Sequence, residues 1–141
     1  MTFTRLTRPE GKGPLILKGD QAVVVFDAHE KTVVRTTAGT ENITFVVTEG
    51  ASHVVDQLSA SGITFIAVTR RSDNRSLFIN VGQIVGVYER TGVTIIRTTA
   101  IGEYAEYPVS ESVDSIEVML AANDSQRPAS TSTVNALLRK Q

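Results

Sequence analysis

Apolar and polar residues alternate over Thr2–Thr7, with Phe3 and its neighbours set against Thr4 and Arg5; a period of two predicts a strand. Ile63–Thr69 repeats that segment in more apolar form. A turn-rich loop follows each, Pro9-Glu10-Gly11-Lys12-Gly13-Pro14 and Arg71-Ser72-Asp73-Asn74-Arg75-Ser76. Short apolar runs come next, Leu15–Leu17 and Leu77–Ile79, and then Gln21–Asp27 and Gln83–Glu89. The run Ala22-Val23-Val24-Val25-Phe26 is continuous and mostly β-branched, as expected of a strand covered on both faces. Gly86 replaces Val24 in the second run, which predicts a bulge or a close backbone approach. Turns at His29-Glu30 and Thr91-Gly92 lead into strands Thr32–Thr37 and Thr94–Thr99, and further turns hold Gly39 and Gly102. Strands Asn42–Thr48 and Tyr104–Ser110 follow; Pro108 marks the latter as an edge or a bulge.

The period then changes. Ala51, Val54, Val55 and Leu58 recur at helical spacing, as do Val113, Ile116 and Leu120, so each predicts a helix with one buried face. Thr48 or Ser110 is the expected cap, and Glu49 or Glu111 falls where the helix dipole favours an acid.

These parallels are systematic. Shifted by 62 residues, the sequence aligns with itself without a gap, and 18 of the 62 pairs are identical. Chance at ordinary amino-acid usage gives about four. The expected organisation is a β-rich module over 1–62, a second over 63–124, and a polar linker with a short C-terminal helix over 125–141. The fold expected is α+β: two tandem pseudo-symmetric modules, each an antiparallel strand meander followed by one helix. In the tail, Val134, Leu137 and Leu138 lie on one side of the short helix.

Composition narrows the function. The formal net charge is −1, which argues against a dominant nucleic-acid footprint. There is no cysteine, hence no disulfide or thiolate chemistry. Met1-Thr2-Phe3-Thr4-Arg5 carries no apolar signal region, and no apolar run approaches the length of a membrane span. A cytoplasmic protein is the expectation. His29 and His53 stand apart from any second ligand, so neither a metal nor a cofactor is expected. No catalytic motif is present, and the chain reads as non-enzymatic.

The repeated arginines are the candidate chemistry. Arg8 and Arg70 end the first strand of each half; Arg35 and Arg97 sit in an Arg-Thr-Thr-Ala run with Thr37 and Thr99. A planar guanidinium recognises carboxylate or phosphate bidentately. Ion pairs with Glu41/Glu103 or Glu49/Glu111 would account for the same arginines structurally. Tyr88, Tyr104 and Tyr107 form a cluster in the second half that suits a partner surface, as do Leu137 and Leu138.

Copy two reads Val68-Thr69-Arg70, Leu77-Phe78-Ile79-Asn80, Ile84, Thr94-Ile95-Ile96, Gly102 and Val109-Ser110-Glu111-Ser112-Val113. In order and spacing this resembles the FlbD/SwrD-type flagellar small-protein family. Copy one keeps Leu6-Thr7-Arg8, Gly11, Thr32, Val34, Gly39, Val47 and Glu49, with Lys18, Ala22 and Gly50 departing from the pattern. The resemblance implies a non-enzymatic cytoplasmic accessory protein. Two functions are thus expected: a small binding protein acting through protein–protein contacts, self-association through an edge or the tail included, or a sequestering protein, of cellular or phage origin, for an anionic nucleotide-like ligand held by the arginines.

Overall fold

The computed structural model describes residues 3–37, 43–100, 102 and 105–125. Tyr104, Leu137, Leu138 and the expected C-terminal helix lie outside the described residues, as do Glu41 and Glu103. Strand β1 (Phe3–Arg8) pairs with β2 (Gly13–Lys18) as a separate two-stranded hairpin. A 3-10 turn, Gly19–Gln21, leads to β3 (Ala22–Ala28), β4 (Lys31–Thr36), β5 (Ile43–Val47) and helix α1 (Ala51–Ala60). The second half gives β6 (Phe65–Thr69), β7 (Ser76–Asn80), a 3-10 turn at Val81–Gln83, β8 (Ile84–Arg90), β9 (Val93–Thr98), β10 (Glu106–Val109) and α2 (Val113–Ser125).

The order of elements repeats, but the pairing does not close within each half. β3, β4 and β5 are joined by β7 and β6 in one five-stranded sheet, ordered β5-β4-β3-β7-β6. β8, β9 and β10 form a third sheet of their own. The expectation of two strand-plus-helix modules is therefore corrected. The molecule is mostly β, in three sheets, and the central sheet takes strands from both sides of the expected division.

The physical reason lies in β3. Ala22, Val23, Val24 and Val25 are fully buried and Phe26 nearly so. A strand apolar on both faces belongs in the middle of a sheet, and its two edges are taken by β4 and β7. One core cluster gathers Val23, Phe26, Ile66, Leu77, Ile96 and Ile116 from both halves; another gathers Leu6, Val25, Val34, Val54 and Leu58 under α1. Asn80 fastens the joint: its Nδ2 donates to the Ala22 carbonyl at 2.8 Å and its Oδ1 accepts from Gly82 N–H at 2.9 Å.

Both helices form where the apolar stripes put them, but their caps differ from expectation. Gly50 is the α1 N-cap and makes no side-chain cap bond, while Asp27 Oδ1 accepts from Ala51 N–H at 3.4 Å. At α2 the Ser112 hydroxyl oxygen, not Ser110, accepts from Ser115 N–H at 3.1 Å. Glu49 and Glu111 act across strands instead. Each accepts the backbone N–H of a first-strand threonine, Thr7 at 3.0 Å and Thr69 at 2.9 Å. Register shifts fall at Ala22/Val24 and at Ile84/Gly86, so the bulge occurs with or without the glycine, and no atom approaches where a Cβ on Gly86 would stand. Pro108 lies on the edge strand β10, as its missing N–H requires.

Candidate functional site

The antiparallel register places the β6–β7 turn beside the β3–β4 turn, at one end of the central sheet. That turn carries Arg70, Arg71 and Arg75 against a single acid, Asp73. Asn74 takes φ +59°, and its N–H donates to the Arg70 carbonyl at 2.9 Å, which tightens the loop and holds the arginines close together. Arg70 binds Asp73 in a fork, Nε to Oδ1 at 2.9 Å and Nη2 to Oδ2 at 2.6 Å. These bonds hold the Asp73 carboxyl down at about 2. Arg75 reaches the same carboxylate only at 3.9 Å, and Arg71 has no ion pair among the described residues. Arg71, Ser72, Tyr107 and Pro108 line an adjoining cleft of about 420 Å³ with Arg70.

A fourth arginine joins them through an aromatic ring. The Arg70 guanidinium lies 4.6 Å from the centroid of Phe26, and that of Arg35 lies 4.9 Å from the same centroid. Both distances fall in the range where a ring face attracts a cation. Because Phe26 is 4% exposed, its ring position is fixed by the core. The turn therefore presents three guanidinium groups and one carboxylate, and Arg35 stands beside Arg70 on the shared ring. It suits an extended anion more than a single buried one, since Arg71 and Arg75 are exposed.

The other candidate residues sit elsewhere. Arg8 Nη2 donates to the Lys12 carbonyl at 2.6 Å, in the first hairpin. Thr37 and Thr99 have their hydroxyls on the Gln21 and Gln83 side-chain oxygens, closing the 3-10 turns against the strand ends. Arg97 pairs with Glu106 at 3.0 Å, and Glu111 is bonded to Thr69 instead. Arg90 pairs with the same carboxylate at 2.9 Å, and the Tyr88 hydroxyl donates to it as well. The guanidinium and phenol donors hold Glu106 down at about 2, and the bond to Glu106 in turn raises the Tyr88 phenol. In this network both guanidinium groups are already bonded to the one carboxylate. Tyr107 is 5% exposed and belongs to the core. Among the described residues no group of three or more His, Asp or Glu side chains is placed to hold a metal ion.

Arg71 and Arg75 are the residues a search for repeated positions passes over. Their counterparts in the first half are Pro9 and Gly13. The signal that finds them is local density: three arginines and one acid within a single hairpin turn.

Among the described residues the fold is β-rich, with three antiparallel sheets and two helices. In this fold the chain is similar to a solved structure, the LytTr DNA-binding domain of a putative methyl-accepting/DNA response regulator from Bacillus cereus. The two share 17% identity with a TM-score of 0.56, over 86% of this chain and 97% of that one. No family model matches, and no curated protein matches.

This likeness overturns three expectations. It conflicts with the FlbD-like label drawn from short motifs, while showing a fold and not a family. It displaces the protein-only accessory and the ligand-sequestering protein as the leading readings. It also removes the ground for setting nucleic acid aside: net charge says nothing of where cations gather, and here they gather on one turn. No helix among the described residues is long and apolar enough to cross a membrane.

Proposed function

We propose that this chain binds double-stranded DNA and grips the phosphate backbone with the β6–β7 turn. Arg71 and Arg75 reach the phosphates, while Arg70 and Arg35, seated on Phe26, supply positive potential behind them. The observation that carries the reading is the β6–β7 turn, where three arginines meet one aspartate, in a chain whose overall charge is −1. The similar solved domain is DNA-binding by name, which supports the same reading. Guanidinium groups suit the role because each offers two parallel donors to a phosphate.

Neutralising phosphates releases condensed counterions, so affinity should fall steeply with salt. Fluorescence anisotropy on a mixed-sequence duplex of about 20 base pairs, from about 50 to 200 mM salt, measures that slope. Replacing both Arg71 and Arg75 with alanine should make the slope shallower by about 2, at roughly 0.9 for each phosphate no longer neutralised. Arg90→Ala should leave it unchanged, because Arg90 is held by Glu106. Absence of binding at the lowest salt, or an unaltered slope in the double variant, would defeat the proposal.

A further inference from the structure

Among the described residues, two strand edges and a groove beside one of them stay open, and the chain itself contains what fits them. β2 and β8 are each paired on one side only. Beside β8 a groove of about 620 Å³ runs between that strand and α2, lined by Ile84, Val85, Val87, Val113 and Leu120 among others. Moved back by 62 positions, these are Ala22, Val23, Val25, Ala51 and Leu58. All five are buried.

What covers that region in the first half is the β6–β7 hairpin. β7 pairs with β3 through Val24–Ile79, Val25–Phe78 and Phe26–Leu77. Ile63, Phe65 and Phe78 pack against the cluster under α1. Space is so fully occupied that a Cβ on Gly19 would stand 3.0 Å from Leu58 Cδ2 and 3.4 Å from Ile63 Cγ1.

The counterparts of Phe65 and Phe78 are Phe3 and Ile16, on the β1–β2 hairpin. They are 58% and 56% exposed, and Val85 beside the open groove is 63% exposed. Only one other large apolar side chain among the described residues, Val118, is comparably exposed. Three unexplained apolar exposures thus fall on two surfaces that are already seen joined, in another part of the molecule, by their counterparts.

The geometry points to a second copy of this chain as the occupant. Its β1–β2 hairpin lies along β8, and Leu17, Ile16 and Leu15 of one copy pair antiparallel with Gly86, Val87 and Tyr88 of the next. Phe3 and Ile16 enter the groove between β8 and α2. Donor and acceptor are different surfaces, so the contact is head-to-tail, and it closes into a ring or runs on as an open chain. This assembly goes beyond DNA binding and does not depend on it.

The test uses the full chain and two variants, Ile16→Lys and Val85→Lys. Both side chains are exposed in the single copy, so each variant should keep its far-ultraviolet circular dichroism. In sedimentation velocity the unaltered chain should gain mass with concentration, and each variant alone should remain a monomer. An equal mixture should form a dimer and nothing larger, because Val85→Lys retains the donor hairpin and Ile16→Lys retains the acceptor groove. A monomeric unaltered chain, a variant that still assembles alone, or a mixture that stays monomeric overturns the inference. So does assembly that appears only after residues 126–141 are removed, which assigns the groove to that segment.

Discussion

At the scale of single residues, the two hairpin turns between β3 and β4 and between β8 and β9 show how local chemistry is fitted to the chain path. His29 takes φ +58° and its counterpart Thr91 φ +53°, followed by Gly92 at +79°. A two-residue hairpin with positive φ at both positions matches the twist of its strands, and asparagine is favoured at the first of them. Threonine is β-branched and strained in that region. Thr91→Asn should therefore raise stability by about 1 kcal/mol, seen as a higher midpoint in urea unfolding without a change of slope. The turns themselves were legible, because His29-Glu30 and Thr91-Gly92 break two apolar runs. The backbone strain was not, since Thr-Gly is compatible with several turn types. Asn80 is a second case. Its motif position was visible, but its bond to the Ala22 carbonyl depends on a strand 58 residues away in sequence, and no spacing rule reaches that far.

At the scale of elements, the β8–β9–β10 sheet is tied by one carboxylate shared among three strands. Glu106 on β10 binds Arg97 on β9 and Arg90 and Tyr88 on β8. Its folded value of about 2 lies below the ordinary 4.5. A lowered folded value adds stability above the unfolded pKa, and that stability is lost as pH falls toward the folded one. The difference in thermal midpoint between the native chain and Glu106→Gln should thus be greatest above pH 4.5 and vanish as pH approaches 2. A constant difference across that window would show that the ion pairs add nothing. Strand and helix positions were largely readable from the chain, as β3, α1 and α2 illustrate, because their periods follow from burial of a face. Partner choice was not. Alternation identifies which face is buried but not which edge is joined, so the pairing of β3 with β7 was missed. The arginines of the proposed site divide likewise. Arg35 and Arg70 stood out by recurrence, whereas Arg71 and Arg75 have no arginine counterparts in the first half and are found only by the density of arginines in one turn.

At the scale of the whole molecule, the β3–β7 joint makes one cooperative unit from two similar stretches of chain. Leu77 is fully buried at that joint, opposite Phe26, in the core cluster that takes side chains from both halves. Leu77→Ala should cost about 2–5 kcal/mol. If the joint unites the halves, urea unfolding of the variant should remain a single transition at lower denaturant, identical by circular dichroism and tyrosine fluorescence. Two separated transitions would mean that the halves fold independently.

Where β1 meets β5, one backbone bond joins the strand ends, Thr48 N–H to the Thr7 carbonyl, with the Glu49 carboxylate beside it. Where β6 meets β10, Ser110 and Arg71 supply two such bonds and Glu111 plays the same part. The three sheets are therefore plates joined along soft creases, because a boundary with few main-chain bonds opens at lower free energy than a full ladder. Amide hydrogens at those creases should therefore exchange with solvent sooner than those inside the ladders.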